Sequence, residues 1–179
     1  MKRIMNTTTQ IHSSTFDHKP MIKSHVLGGI LTGQVAGLIM ATVVMIVFAL
    51  FLGTTPFYPV QVIGSMALGE SALQGTNFLA VLVGVLLHQL GPSLLWGVVF
   101  GLLATKFSIT TVKDSLLLGL VIGVISMVGP YLLIPKLMMA FHGADFWNQN
   151  VPMFWDWAAH MVFGASFALY PILAKKIKS

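Results

Sequence analysis

The chain contains no cysteine among its 179 residues, which excludes disulfides, thiolate metal sites, iron–sulfur clusters and a cysteine nucleophile. Charge is scarce as well. Only 8% of residues are Asp, Glu, Lys or Arg while 56% are hydrophobic, against about 25% charged in an average soluble domain. A soluble fold of this size is excluded. Ten Lys+Arg against five Asp+Glu leave a net charge of +5, yet the basic residues sit at the ends of apolar runs, where they mark membrane topology and not a nucleic-acid surface. No Ser-x-x-Lys, His-Glu-x-x-His, Gly-x-Ser-x-Gly or nucleotide phosphate loop occurs in the sequence, so the motifs of the common hydrolases and nucleotide enzymes are missing. The expectation is a protein without enzymatic activity.

What is present is a series of apolar runs. Four of them, at 28–52, 78–104, 116–139 and 154–173, are each long enough to cross a hydrocarbon core about 30 Å thick. The predicted fold is therefore all-α: a polytopic membrane protein with four transmembrane helices in a compact bundle, spanning 25–179 after a polar tail at 1–24. The first run is too long for a cleavable signal peptide and lacks a small-residue cleavage site, so it is expected to be retained. Lys2, Arg3, Lys19 and Lys23 precede the first run, Lys106 and Lys113 separate the second from the third, and Lys175, Lys176 and Lys178 close the chain. Only Lys136 falls on the other side. The positive-inside rule then places both termini in the cytoplasm. Two outer segments remain, 53–77 and 140–153. Within the first, 59–68 is apolar enough to form a short helix lying in the interface, with a re-entrant segment as the alternative. Phe57, Tyr58, Phe141, Phe146, Trp147, Phe154, Trp155 and Trp157 mark this boundary as an interfacial aromatic belt would.

Lipid offers no hydrophobic gain for helix association, so small residues that let backbones approach must supply contact. Gly29, Gly33 and Gly37 form one stripe on the first span; Gly97 and Gly101, Gly119 and Gly123, and Gly164 give the other three spans a small face each. These faces serve packing within one bundle, with a homo-oligomer or a larger membrane complex as the alternative. Pro92 and Pro130 each remove a backbone donor and predict kinks in the second and third spans. The two hairpins share landmarks: Gly33-x-x-x-Gly37 matches Gly119-x-x-x-Gly123. His88 lies 18 residues before Lys106 and His160 lies 15 before Lys175, which is about 27 and 22 Å along a helix. A parallel two-plus-two repeat would produce this pattern.

Titratable groups inside a span are costly and suggest function. The candidates for a polar or ion site near the outer face are His88, Gln89, Asp156 and His160, with Glu70 and Lys136 nearby. Asp156 and His160 are four apart and share a helix face, so the carboxylate can orient the imidazole. Four readings follow. His88 and His160 could ligate haem b axially; His88 and His160 with Asp156, and Glu70 or Asp145, could hold a divalent metal; His88, Asp156 and His160 could form a proton or solute site; or these side chains hydrogen-bond between helices at headgroup level. The last takes no cofactor and is the preferred expectation. Two-haem membrane cytochromes need four suitable histidines, and only two lie inside spans.

Gly33 to Gly37 and the closing stretch VPMFWDWAAHMVFGASFALYPILAKK at 151–176 resemble the YagU-type inner-membrane family, whose members begin with a Gly-x-x-x-Gly helix and end with an aromatic-rich outer loop leading into a His-bearing helix. The resemblance implies a bacterial inner-membrane protein with a link to acid stress, and it carries over no catalytic residue. The sequence thus predicts a small accessory or scaffold element of the inner membrane with a polar His/Asp site near its outer face. A small transporter or proton-conducting unit is the alternative, followed by a haem- or metal-binding electron-transfer subunit.

Overall fold

The computed structural model describes residues 18–178, and no strand occurs among them. Six helices follow in order: α1 (His18–Phe51), α2 (Tyr58–Leu68), α3 (Phe78–Lys106), α4 (Val112–His142), α5 (Phe146–Asn150) and α6 (Met153–Ile177). Four of these, α1, α3, α4 and α6, are long and apolar enough to cross a bilayer. The chain is a multi-pass membrane protein built as a helical bundle. Four crossings put both described chain ends on one face, called here the terminal face; α2 and α5 lie at the far face.

Local chemistry explains where these helices begin and end. α1 starts at His18 and so takes in the last residues of the stretch expected as a polar tail over 1–24; Pro20 falls in its first turn, where a missing N–H breaks no helical bond. The remainder of the tail lies outside the described residues. Asn77 caps α3 by accepting from Ala80 N–H at 3.1 Å. Thr111 caps α4 by accepting from Asp114 N–H at 3.1 Å, while its own hydroxyl donates to the Asp114 carboxylate at 2.7 Å, so one pair satisfies a helix start. Gly143, at φ 69°, ends α4 in the left-handed conformation that a side chain would resist.

The proline kinks take a particular form. α3 widens into one π-helical turn at Gln89–Ser93, around Pro92, and α4 does the same at Gly129–Leu133, around Pro130. Leu94 N–H donates to Gln89 O and Ile134 N–H to Gly129 O, both i→i−5. The register thus shifts by one residue at each proline, which re-pairs carbonyls that a simple kink would leave open.

Glycine seams hold the spans. A Cβ built on Gly29 would lie 2.4 Å from Gly97 O, and one on Gly33 2.5 Å from Ser93 O. That α1–α3 contact is backbone on backbone. A second seam joins α4 to α6, where a Cβ on Gly119 would meet Gly164 O at 2.2 Å and one on Gly123 would meet His160 O at 2.6 Å. Near the terminal face, α1 also packs on α6 through Gly28 against Ala174 and Tyr170, with His25 hydrogen-bonded to the Tyr170 hydroxyl. Ala36, Phe100, Ile122, Phe163, Phe167 and Tyr170 fill the core between these helices. Large side chains such as Leu38, Ile46, Leu82 and Leu117 are exposed around the outside, where lipid would solvate them.

The two hairpins share their glycine seams but not their neighbours. α1 packs along α6, whereas the corresponding pair, α3 and α4, approaches mainly beside the short turn at 107–111 and separates toward the far face. The parallel repeat therefore extends to the seams and stops there. α2 bridges the separation: Gly64 rests on Ala80 O and Gly84 on Val60 O, while Val62 packs with Met138, Phe146 and Trp147 on the other side. Pro59, Val60, Gln61, Val62, Gly64 and Ser65 are all buried, so 59–68 forms the expected short helix and one side of it is packed into protein.

Candidate functional site

The gap between α3 and α4 is a cavity of about 580 Å³, within the range of roughly 300–1,000 Å³ common for ligand sites. Val60, Ile63 and Met66 of α2 roof it; Met40, Ala41 and Val44 of α1 form one wall. Leu90 and Leu95 of α3 and Val128 and Leu133 of α4 both line it and are more than half exposed, so they rim a mouth that faces the bilayer. Gly91 and Gly129 sit in the π turns beside this mouth, and a Cβ on either would meet nothing within 4 Å.

Almost all of the lining is apolar. The polar exceptions are His88, Ser93, Ser126, Asp156 and His160. Three of the four sequence-predicted core candidates, His88, Asp156 and His160, thus share one chamber. Asp156 and His160 are 7% and 9% exposed, and the chain surrounds the carboxylate with donors as burial demands. Trp147 Nε1–H donates to Asp156 Oδ2 at 3.1 Å. His160 Nδ1 lies 3.2 Å from Asp156 Oδ1 and 2.9 Å from the Asp156 carbonyl oxygen. Both neighbours accept only, so Nδ1 carries the proton and, in the neutral ring, Nε2 keeps its lone pair. Among the described residues the sole buried side-chain N or O atom without a partner is Gln61 Oε1, which leaves His160 Nε2 open to the cavity.

His88 is held differently. Its Nδ1 lies 3.3 Å from Gln89 Oε1 and 3.4 Å from Ser93 Oγ. Gln89 turns away toward α1: Gln34 Nε2 donates to Gln89 O at 2.8 Å, and Gln89 Nε2 donates to Gln34 O at 3.2 Å. That reciprocal pair crosses the α1–α3 seam at the level of the π turn, so Gln89 serves the packing that positions His88. Gly37 leaves room for it, since a Cβ there would lie 2.1 Å from Ser93 Oγ.

The other expected members lie elsewhere. Glu70 is exposed in the turn Gly69–Leu73 after α2, and Lys136 is exposed on α4 away from the cavity lining. Asp145 caps α5, accepting from Asn148 N–H at 3.1 Å. Among the described residues no three His, Asp or Glu side chains converge as a metal would need, which removes the expected contributions of Glu70 and Asp145. His88 and His160 remain the pair that could face a haem iron, yet among the described residues no Lys or Arg lines the cavity to balance anionic propionates, a poor fit.

Trp147 was legible only as a belt aromatic. It is buried, and it is the second donor to Asp156; nothing in sequence spacing links positions on two different helices. At the far face Tyr58 donates to Asn150 Oδ1, and burial pushes its phenol above the usual range, so the hydroxyl stays a donor that ties α2 to α5. His142 Nε2 lies 2.9 Å from Met66 O and ties α2 to α4. The roof is thereby fixed on both sides of the gap. No protein-family model matches the chain, and no curated protein or solved structure matches it.

Proposed function

We propose that this protein is a non-enzymatic membrane element that binds a lipid-soluble molecule drawn sideways from the bilayer, as an accessory to some larger membrane process. The observation that carries this reading is the 580 Å³ apolar chamber, whose rim is lipid-facing and whose interior holds one buried, oriented Asp–His pair. A bundle needing only mutual packing has no use for such a void, because each unfilled contact forfeits dispersion energy. The distribution of basic residues supports placing the terminal face in the cytoplasm and the roof helix α2 outside, in the cytoplasmic membrane of a bacterium. Direct solute conduction fits less well: the chamber polar groups stand isolated in apolar lining and form no chain from face to face.

Trp96, Trp147 and Trp155 all line the cavity, so their fluorescence reports on its contents. Protein in phosphatidylcholine nanodiscs is titrated with a dibrominated octadecyl lipid, whose bromine atoms quench indole on contact. Saturable quenching that unbrominated chain competes away is expected, and Gly129→Leu, which projects a side chain into the open space at the mouth, is expected to weaken it several-fold. Quenching that rises linearly with probe and is identical in Gly129→Leu overturns the reading.

A further inference from the structure

Resting on that lipid-binding reading, we propose that the ligand head group held at His160 is a neutral hydroxyl, making the ligand a lipid alcohol or phenol and not a lipid phosphate or carboxylate. Three observations converge. The Nδ1 proton of His160 is committed to two acceptors on Asp156, so the cavity meets Nε2 as a lone-pair acceptor, which complements an O–H donor. Among the described residues Asp156 is the sole acidic residue of the lining, and no Lys or Arg accompanies it. An anionic head group would therefore sit in apolar surroundings beside a carboxylate with no cation to compensate, whereas a hydroxyl adds no charge. The indoles of Trp96, Trp147 and Trp155 give flat apolar walls that suit either an aliphatic chain or an aromatic ring.

The backbone carbonyl of Asp156, 2.9 Å from His160 Nδ1, holds the proton there whatever side chain stands at 156. In Asp156→Asn the tautomer therefore persists and Nε2 stays an acceptor for a hydroxyl, while the carboxylate that disfavours an anionic head group is gone.

The test uses three dibrominated octadecyl probes with one chain and different heads: the alcohol, its methyl ether and the carboxylic acid, in phosphatidylcholine nanodiscs at neutral pH. Wild type is expected to bind the alcohol about tenfold more tightly than the ether, the worth of one buried hydrogen bond, and the ionised acid more weakly than the ether. Asp156→Asn is expected to keep the alcohol-to-ether preference while narrowing the disadvantage of the ionised acid; His160→Phe, which keeps an aromatic body without an acceptor, is expected to abolish the alcohol preference while chain binding persists. Equal binding of alcohol and ether by wild type, or tightest binding of the acid, overturns the head-group inference and leaves the lipid-binding reading standing. Absence of saturable binding for all three probes overturns the lipid-binding reading itself. Retention of the tenfold preference in folded His160→Phe also overturns the assignment to His160.

Discussion

Replacing Gly29 with alanine adds a single methyl group, and the structure gives its cost. That Cβ would lie 2.4 Å from Gly97 O, 2.6 Å from Gly101 N and 2.7 Å from Gly101 Cα. All three are backbone atoms of α3, which no rotamer change can move. Ordinary contact begins near 3.4 Å, so α1 and α3 must separate by about 1 Å along the seam, and Gly33 and Gly37 lose their contacts too. Overpacking of this kind costs about 1–3 kcal/mol, the upper end applying where rigid elements meet. Against it stands the gain in helix propensity from Gly to Ala, about 1 kcal/mol. A net loss of about 2 kcal/mol is expected, roughly a 30-fold fall in the ratio of folded to unfolded protein. Gly129→Ala is the control: its Cβ meets nothing within 4 Å, and the propensity gain is trimmed by Pro130, which crowds the helical conformation of the residue before it. It should stay within about 0.5 kcal/mol of wild type. Titrating mixed micelles with dodecyl sulfate and following helicity by circular dichroism measures both. Equal stability of Gly29→Ala and wild type, or equal damage from the two substitutions, would refute the seam.

Two further outcomes follow from the far face. Trp147→Phe removes a hydrogen bond to a buried carboxylate and should cost about 1.5–3 kcal/mol in the same titration; an unchanged midpoint would mean that the indole does not partner Asp156. Because the chain has no cysteine, a single cysteine at the exposed Asn148 gives labelling without background: a membrane-impermeant maleimide should modify it in intact cells, and modification only after lysis would invert the proposed orientation.

How much of this was legible in the sequence depends on range. The four spans were, since a bilayer imposes length and apolarity on each run separately; so were the seams, because Gly29, Gly33 and Gly37 fall on one helix face by spacing alone. The Asp156–His160 pair is likewise local, one turn apart on α6. What failed to show is what depends on two elements meeting. The packing of 59–68 was unreadable because lipid and protein interior are equally apolar, so the composition of a helix at the outer boundary does not say whether protein covers it. Glu70 and Asp145 looked like candidate ligands because both lie in the outer segments, and the structure assigns Asp145 to a helix cap. Trp147 read as part of the belt, and only the fold brings its indole to Asp156.

The cavity has a cause in the distribution of small residues. Helices in lipid adhere where their backbones can touch, and each span has a limited stretch that permits it. α3 spends its stretch, Ser93, Gly97 and Gly101, on α1, and α4 spends Gly119 and Gly123 on α6. Nothing comparable is left to draw α3 and α4 together beyond their connecting turn. The π turns fall where these two helices face the gap, and each places a glycine, Gly91 or Gly129, beside the mouth. Left alone, such a gap would close or fill with lipid tails. α2 and α5 prevent collapse at the far end by wedging Val62, Phe146 and Trp147 against Met138 of α4, and the same Trp147 orients Asp156 within. The residue that packs α5 against α2 and α4 thus also donates to the buried carboxylate of the chamber, so the shape of the chamber and the proposed head-group recognition would be coupled through a single side chain.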